Sequence, residues 1–174
     1  MKLPEKSLLF PDHEKYDYID SFGGVFSDKE NKIGIDEIAK DFMKPMPGWI
    51  DALMSLRNAI VSVVGLKRSN DKKLGKQPKD VRFVAGEKVG FFNVYSLTTN
   101  ELVLGEDDKH LNFRISLFLG NQEGNPTKKV VAVTTVVTFN NWLGHAYFFF
   151  VKPFHQLIVP AMLAKDFKEL ASSE

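Results

Sequence analysis

Hydrophobic and polar residues follow two different periods along this chain, and the change of period divides it. Tyr16–Ser27 (YDYIDSFGGVFS) mixes aromatic and β-branched residues and reads as a strand with a bulge or sharp bend at Gly23-Gly24. Asp28–Gly34 is a polar, turn-rich link. Ile35–Phe42 has the pattern of a short helix, which Pro45 and Pro47 stop because proline cannot continue the backbone ladder. A second helix is expected at about Gly48–Val64, where Trp49, Ile50, Leu53, Met54, Leu56, Ile60, Val61, Val63 and Val64 give a broad helical stripe. Pro47 suits its first turn and Gly65 the position just past its end. Lys67–Asp80 (KRSNDKKLGKQPKD) is a basic connector. It reads as a solvated loop or as a local phosphate-binding patch, and the patch reading lacks interleaved aromatics.

From Val81 onward the period is that of strands. Lys88–Leu97, Glu101–Gly105, His110–Leu119, Lys128–Asn140 and Leu143–Lys152 are strand-length, rich in Phe, Val and Thr, and separated by short turns, which implies antiparallel neighbours. A two- or four-residue loop around Asp107-Asp108 would set Leu104 opposite Leu111, Leu102 opposite Phe113 and Glu101 opposite Arg114. That register puts apolar pairs on one side and opposite charges on the other. Pro153–Leu170 reads as a helix starting at Pro153, with Pro160 removing an interior hydrogen bond and kinking it.

The order is strand, two short helices, a run of antiparallel strands and one long C-terminal helix. The expected fold class is therefore α+β, of the helix-grip kind, with a curved antiparallel sheet wrapped around the last helix. Residues 1–15 are expected to be an N-terminal extension and 16–174 a single domain, since 174 residues make one domain's worth of chain. Fifteen phenylalanines supply bulky walls for a core or for an apolar cavity between sheet and helix. Lys and Arg number 23 against 22 Asp and Glu, so there is no strong global field of the kind that a general nucleic-acid or membrane-surface binder needs. Without cysteine there are no disulfides, no thiolate metal site and no cysteine nucleophile. The apolar run Leu8–Phe10 is too short for a signal peptide, and no uninterrupted apolar stretch reaches the length of a spanning helix. A soluble cytoplasmic protein without a membrane span is expected.

Several stretches carry a family likeness. Trp49-x-x-x-Leu53-Met54-x-Leu56-Arg57-Asn58, Gly65-Leu66-Lys67 and Gly90-Phe91-Phe92 lie in the first half. Leu104–Arg114 (LGEDDKHLNFR) and Pro153-Phe154-His155-x-x-Ile158-Val159 lie in the second. With these motifs the chain resembles the bacterial domain-of-unknown-function family 2867 over about residues 16–165. The resemblance implies the helix-grip fold of the START-like and birch-pollen-allergen-like (SRPBCC) superfamily, whose members often hold lipids, sterols or polyketides in a central cavity. It implies no catalytic residues. No G-x-G-x-x-G fingerprint is present, so a self-contained dehydrogenase is not expected.

Candidate chemistry is sparse. Glu106-Asp107-Asp108-x-His110 offers oxygen and imidazole donors, but it also reads as a solvated hairpin turn whose side chains need not converge, and no metal is assigned to it. Arg114 is either a cross-strand partner of Glu101 or a carboxylate anchor for a ligand, through its guanidinium fork. Arg57 and Asn58 pair with or cap neighbouring loops. His145 and Tyr147 share one face of the expected last strand, either as an acid–base pair in a cavity or as a buried histidine satisfied by backbone. His155 opens the expected tail helix and points to the cavity mouth; His13 carries no assigned role. The residues expected to hold a ligand are Arg114, Phe113, His145, Tyr147 and His155.

The leading expectation is a module binding a small hydrophobic or amphipathic molecule between sheet and C-terminal helix, with no cofactor and no nucleic acid. The alternatives are a cavity enzyme of the cyclase, dehydratase or isomerase type using His145 and Tyr147, and a ligand-free interaction domain forming a homodimer.

Overall fold

A computed structural model of the chain describes residues 1–44, 82–90 and 92–172. The expected second helix, the basic connector, Arg57, Asn58 and the Trp49 and Gly65 motifs lie outside the described residues.

Among the described residues the architecture is α+β: one six-stranded antiparallel sheet, short helical elements and a long C-terminal helix. The strands are β1 (Tyr18–Ser27), β2 (Lys88–Val89), β3 (Phe92–Leu97), β4 (Glu101–Asp107), β5 (Leu111–Gln122) and β6 (Asn125–Phe139), in the order β1-β6-β5-β4-β3-β2. The first and last strands are thus neighbours through a long-range pairing, and among the described residues β1 and β2 are the edges of the open sheet.

Two strand readings change. β1 pairs with β6 without a register shift from Tyr18↔Val137 to Ser27↔Lys128, so Gly23-Gly24 makes no bulge. At Gly23 a Cβ would lie 2.3 Å from the Val131 carbonyl oxygen, so glycine serves a close backbone approach there. Lys88–Leu97 is not one strand. It turns at Gly90, whose φ of 62° is in the left-handed region, and folds β2 back on β3.

The β4–β5 hairpin also differs from its expected register. Leu104 faces Ile115 and Glu101 faces Phe118, four positions further along β5 than predicted. An even shift preserves the faces and changes every partner. Leu102, Leu104, Ile115 and Leu117 still share one side, but Glu101 no longer meets Arg114.

The largest correction concerns Leu143–Lys152, which is helical. Helix α2 runs from Trp142 to Ser172 and contains both Pro153 and Pro160. Asn141 starts it: its Oδ1 accepts from the N–H groups of Leu143 (3.1 Å) and Gly144 (3.3 Å), the geometry of an N-cap. The β4–β5 turn holds that start in place. Asn140 Nδ2 donates to the Asp108 carbonyl (2.7 Å) and Asn141 Nδ2 to that of Lys109 (2.8 Å), and Gly144 lies flush against the His110 carbonyl. The distinctive GEDDKHLNFR stretch therefore includes the platform on which the last helix begins.

α2 packs on β1 and β6, and helix α1 (Ile35–Phe42) fills the space beside it with Ile35, Ile38, Ala39 and Phe42. The inner sheet face meets these helices through Val94, Leu102, Leu104, Leu117, Val131 and Val133, against Val159 and Leu163 of α2. Beyond β1, Asp28 closes the link to α1. It accepts from the N–H groups of Lys32 and Ile33 (both 3.0 Å) and from Lys129 Nζ (2.7 Å), while Lys129 also donates to the Ile33 carbonyl. Within α2, Trp142–Ala164 is long and apolar enough to cross a membrane by length and composition. In the fold its Ile158, Val159 and Leu163 are buried, and Trp142, Phe149 and Leu157 are exposed.

The opposite face of the sheet is covered by the N-terminal segment, which runs through a 3-10 helix at Phe10–Lys15. Leu9 packs on Val103 and Val136, with Leu3, Tyr16 and Ile19 at its margin. Beneath it Glu101, 2% exposed, accepts hydrogen bonds from the Ser7 hydroxyl (2.6 Å), the Leu8 N–H (2.7 Å) and the Ser116 hydroxyl. A buried carboxyl with three donors ties residues 7 and 8 to the middle of the sheet.

Candidate functional site

The N-terminal segment does not cover the outer face completely. Between it and the sheet lies a cleft of about 400 Å³. Leu8, Leu9, Asp12 and Tyr16 form one wall. Tyr95 and Ser96 of β3, Val103 of β4, Asn112 and Arg114 of β5, and Val136 and Thr138 of β6 form the other. Alternation along β4, β5 and β6 brings Val103, Asn112, Arg114, Val136 and Thr138 to one face, since each is an even step from its neighbours in register, and Ser96 pairs with Val103 on the same face. The cleft is two-sided in chemistry: Leu8, Leu9, Val103 and Val136 are apolar, and Asp12, Tyr95, Ser96, Asn112 and Arg114 carry donors and acceptors.

Arg114 is its charged centre. Its Nη1 donates to Asp107 Oδ1 (2.8 Å) and to the Phe113 carbonyl (2.8 Å), and Nη2 to Asp107 Oδ2 (3.2 Å). The guanidinium carbon lies 3.6 Å from the centre of the Tyr95 ring, a stacked cation–π arrangement. Tyr95 reaches this position because β3 is irregular between Val94 and Ser96, so its side chain leaves the regular alternation. Its hydroxyl also donates to Asp107 Oδ2 (2.9 Å). Gly105 lies opposite Arg114, and a Cβ there would come within 2.9 Å of Arg114 Cδ, so the absent side chain makes room for the arginine stem. The hydrogen bond from Arg114, with a further contribution from Tyr95, holds the Asp107 carboxyl below its ordinary range against the opposing effect of partial burial. The Tyr95 hydroxyl is pushed up, first by burial and then by its bond to Asp107.

A second polar group interrupts the apolar inner face at β1. His155 Nε2 lies 3.1 Å from Asp20 Oδ1, Tyr18 donates to Asp20 Oδ2 (2.6 Å), and Gln156 Nε2 donates to the Tyr18 hydroxyl (3.3 Å). Burial and the bond to Asp20 raise the Tyr18 hydroxyl far above its usual range. This network joins α2 to the edge strand.

The five sequence-predicted ligand residues do not converge. Arg114 lines the outer cleft. Phe113, its neighbour in β5, points to the inner face, where its ring meets Phe92 edge-on at 6.1 Å. His155 is held by Asp20 on that inner side. His145 and Tyr147 are on the first turns of α2 rather than on a strand. The His145 ring lies 4.1 Å from that of Phe139, and Tyr147 packs beside Leu111, Val137 and Phe148. In a helix, residues two apart do not share a face, so the expected His145–Tyr147 pair is not formed. The acidic turn does not converge either: Asp107 is held by Arg114 and Tyr95, Asp108 accepts from the Lys109 N–H, and His110 Nδ1 meets Asn141. Among the described residues no group of three His, Cys, Asp or Glu side chains is placed to hold a metal.

The sequence reading passed over Tyr95, Asp12 and the apolar Leu8-Leu9 pair. A bulge in β3 and the docking of an N-terminal segment leave no periodic trace. Leu8-Leu9 between Pro4 and Pro11 was the one local hint of a packed segment.

The family model described as protein of unknown function (DUF2867) matches residues 13–162, which bears out the family resemblance drawn from the sequence motifs. No curated protein and no solved structure matches the chain.

Proposed function

We propose, for a chain that belongs to the DUF2867 family of proteins of unknown function, that it is a binding module for a small amphipathic molecule, held in the cleft between the N-terminal segment and the outer sheet face. The observation that carries this is the two-sided lining of a 400 Å³ space, apolar at Leu8, Leu9, Val103 and Val136 and polar around Arg114. Small-molecule sites are concave, of about 300–1,000 Å³, mostly apolar, with a few placed polar groups. The space between sheet and α2, where the sequence reading put the ligand, is occupied among the described residues by Leu102, Leu104, Leu117 and Val133 packed on Val159 and Leu163. The reading therefore moves the ligand to the other face and keeps Arg114 as its polar contact.

Residues 1–15 act in this reading as part of the binding unit, since they supply one wall. The adjacency of first and last strands, with a final helix across one face, supports the helix-grip superfamily assignment.

The test is a thermal-shift and calorimetric panel of fatty acids, fatty alcohols, sterols and aromatic acids on the wild type and on Thr138→Trp, which fills the cleft from its rim. A saturable stabilisation that Thr138→Trp abolishes, while keeping the wild-type melting temperature without ligand, is the expected result. Absence of any stabilisation, or one indifferent to Thr138→Trp, would refute the reading.

A further inference from the structure

We infer that the polar end of the ligand is a carboxylate seated on the one open edge of Arg114; this rests on the cleft reading above. The guanidinium has five N–H donors in a plane. Asp107 takes one from each terminal nitrogen, and the Phe113 carbonyl takes the second of Nη1. Nε–H and the second Nη2–H are left, the parallel pair on the side-on edge, and among the described residues neither has a hydrogen-bond partner. Two parallel donors at this spacing match the two oxygens of a carboxylate.

The surroundings fix the edge before a ligand arrives. The bidentate bond to Asp107 sets the plane of the guanidinium, and the Tyr95 ring covers one face of it at 3.6 Å. Asp107 and Tyr95 are thus positioning residues. An arginine held this way loses little side-chain freedom on binding.

The charge balance favours a monoanion. Arg114 is neutralised by Asp107, and Asp12 on the facing wall is paired with Lys15. No surplus positive charge is left among these four groups, so a phosphate dianion would bring two charges to the one arginine edge where a planar monoanion brings one. A planar monoanion asks only for that edge, and its apolar remainder meets Leu8, Leu9, Val103 and Val136.

The experiment titrates decanoate, decanol and decyl phosphate into the wild type, Arg114→Lys and Arg114→Met by calorimetry. It also follows the Arg114 Nε–H resonance in the ¹⁵N spectrum of the wild type, assigned by its loss in Arg114→Lys. Decanoate is expected to bind about tenfold or more tightly than decanol, as a charge-assisted pair of bonds supplies. Both variants should lose that preference, since lysine keeps the charge without the fork. The Nε–H signal should shift with decanoate and stay with decanol, a readout that needs no variant to fold. Equal binding of decanoate and decanol, or tighter binding of decyl phosphate, would overturn the carboxylate inference and leave the cleft reading standing. Failure of all three to bind would overturn both.

Discussion

Replacing Glu101 by leucine should detach the N-terminal segment and lower the stability of the domain by a predictable amount. The carboxyl is 2% exposed and receives three donors: the Ser7 and Ser116 hydroxyls and the Leu8 N–H. A buried donor deprived of its acceptor costs about 1–3 kcal/mol. Ser116 is fully buried and has nowhere to turn, whereas Ser7 and Leu8 can reach water if their segment lifts. Lifting it exposes Leu9, which is buried against Val103 and Val136, at about 1.5–3 kcal/mol for a leucine side chain. Either route leads to a net loss of about 3 kcal/mol, after allowing for the desolvation that an apolar side chain no longer incurs. In a chain of 174 residues each kcal/mol moves the melting temperature by about 2–4 °C, so the shift should be about 6–12 °C. Urea unfolding measures the free energy, and timed trypsin digestion at Lys6 and Lys15 measures the release of the segment. Glu101→Gln, which keeps one acceptor oxygen and the volume, should lose about half as much. A leucine variant within about 1 kcal/mol of the wild type, with unchanged resistance at Lys6 and Lys15, would refute this account of the carboxyl as a tether.

Three further outcomes are expected. Burial pushes the Asp28 carboxyl up, but Lys129 and the N–H groups of Ile33 and Lys32 outweigh it and hold the group below its ordinary value. The stability so gained is present above the unfolded carboxyl value of about 3.9 and is lost as pH falls through the lower folded value; urea curves for Asp28→Asn should therefore lie well below wild type at pH 7 and approach it in acid. Gly144→Ala should destabilise the domain by about 1–3 kcal/mol in the same assay despite alanine's better helix propensity, because the new Cβ would lie 2.1 Å from the His110 carbonyl oxygen. Adjacent phenylalanines of α2 should differ sharply: Phe148→Ala, from a position 8% exposed, should cost about 3–5 kcal/mol, and Phe149→Ala, from one 73% exposed, under about 1 kcal/mol. Equal losses at the two would indicate a different helical phase.

Much of the fold was legible because its elements carry their own period. Ile35–Phe42 has its helical stripe, the strands from Glu101 to Phe139 have alternation, and the short turns between them imply antiparallel neighbours. Arg114 was legible as a guanidinium among polar strand residues, and it does line the cleft. Leu143–Lys152 was misread for a physical reason. Its aromatic run Tyr147–Phe150, followed by Val151, has the composition of a strand, and its helical periodicity is weak because apolar residues surround the whole helix. The sign that stood against a strand was Asn141 just before the run, a residue suited to an N-cap.

The sequence by itself determined the helix at Ile35–Phe42, the antiparallel run of strands from Glu101 to Phe139, the parity of the faces along β4 and β5, and the residues available for a core. These depend on side-chain spacing within a few positions, which the chain carries wherever it folds. Only tertiary structure decided that β1 joins β6, that the β4–β5 pairing lies four residues from the expected register, and that 142–152 is helical. It also decided that the N-terminal segment folds over the outer face and builds half of the cleft with Arg114. Each of these is a contact between distant parts of the chain. Its energy comes from burying Leu9 or Val159, or from satisfying Glu101, and local spacing carries no record of which distant surface supplies the partner.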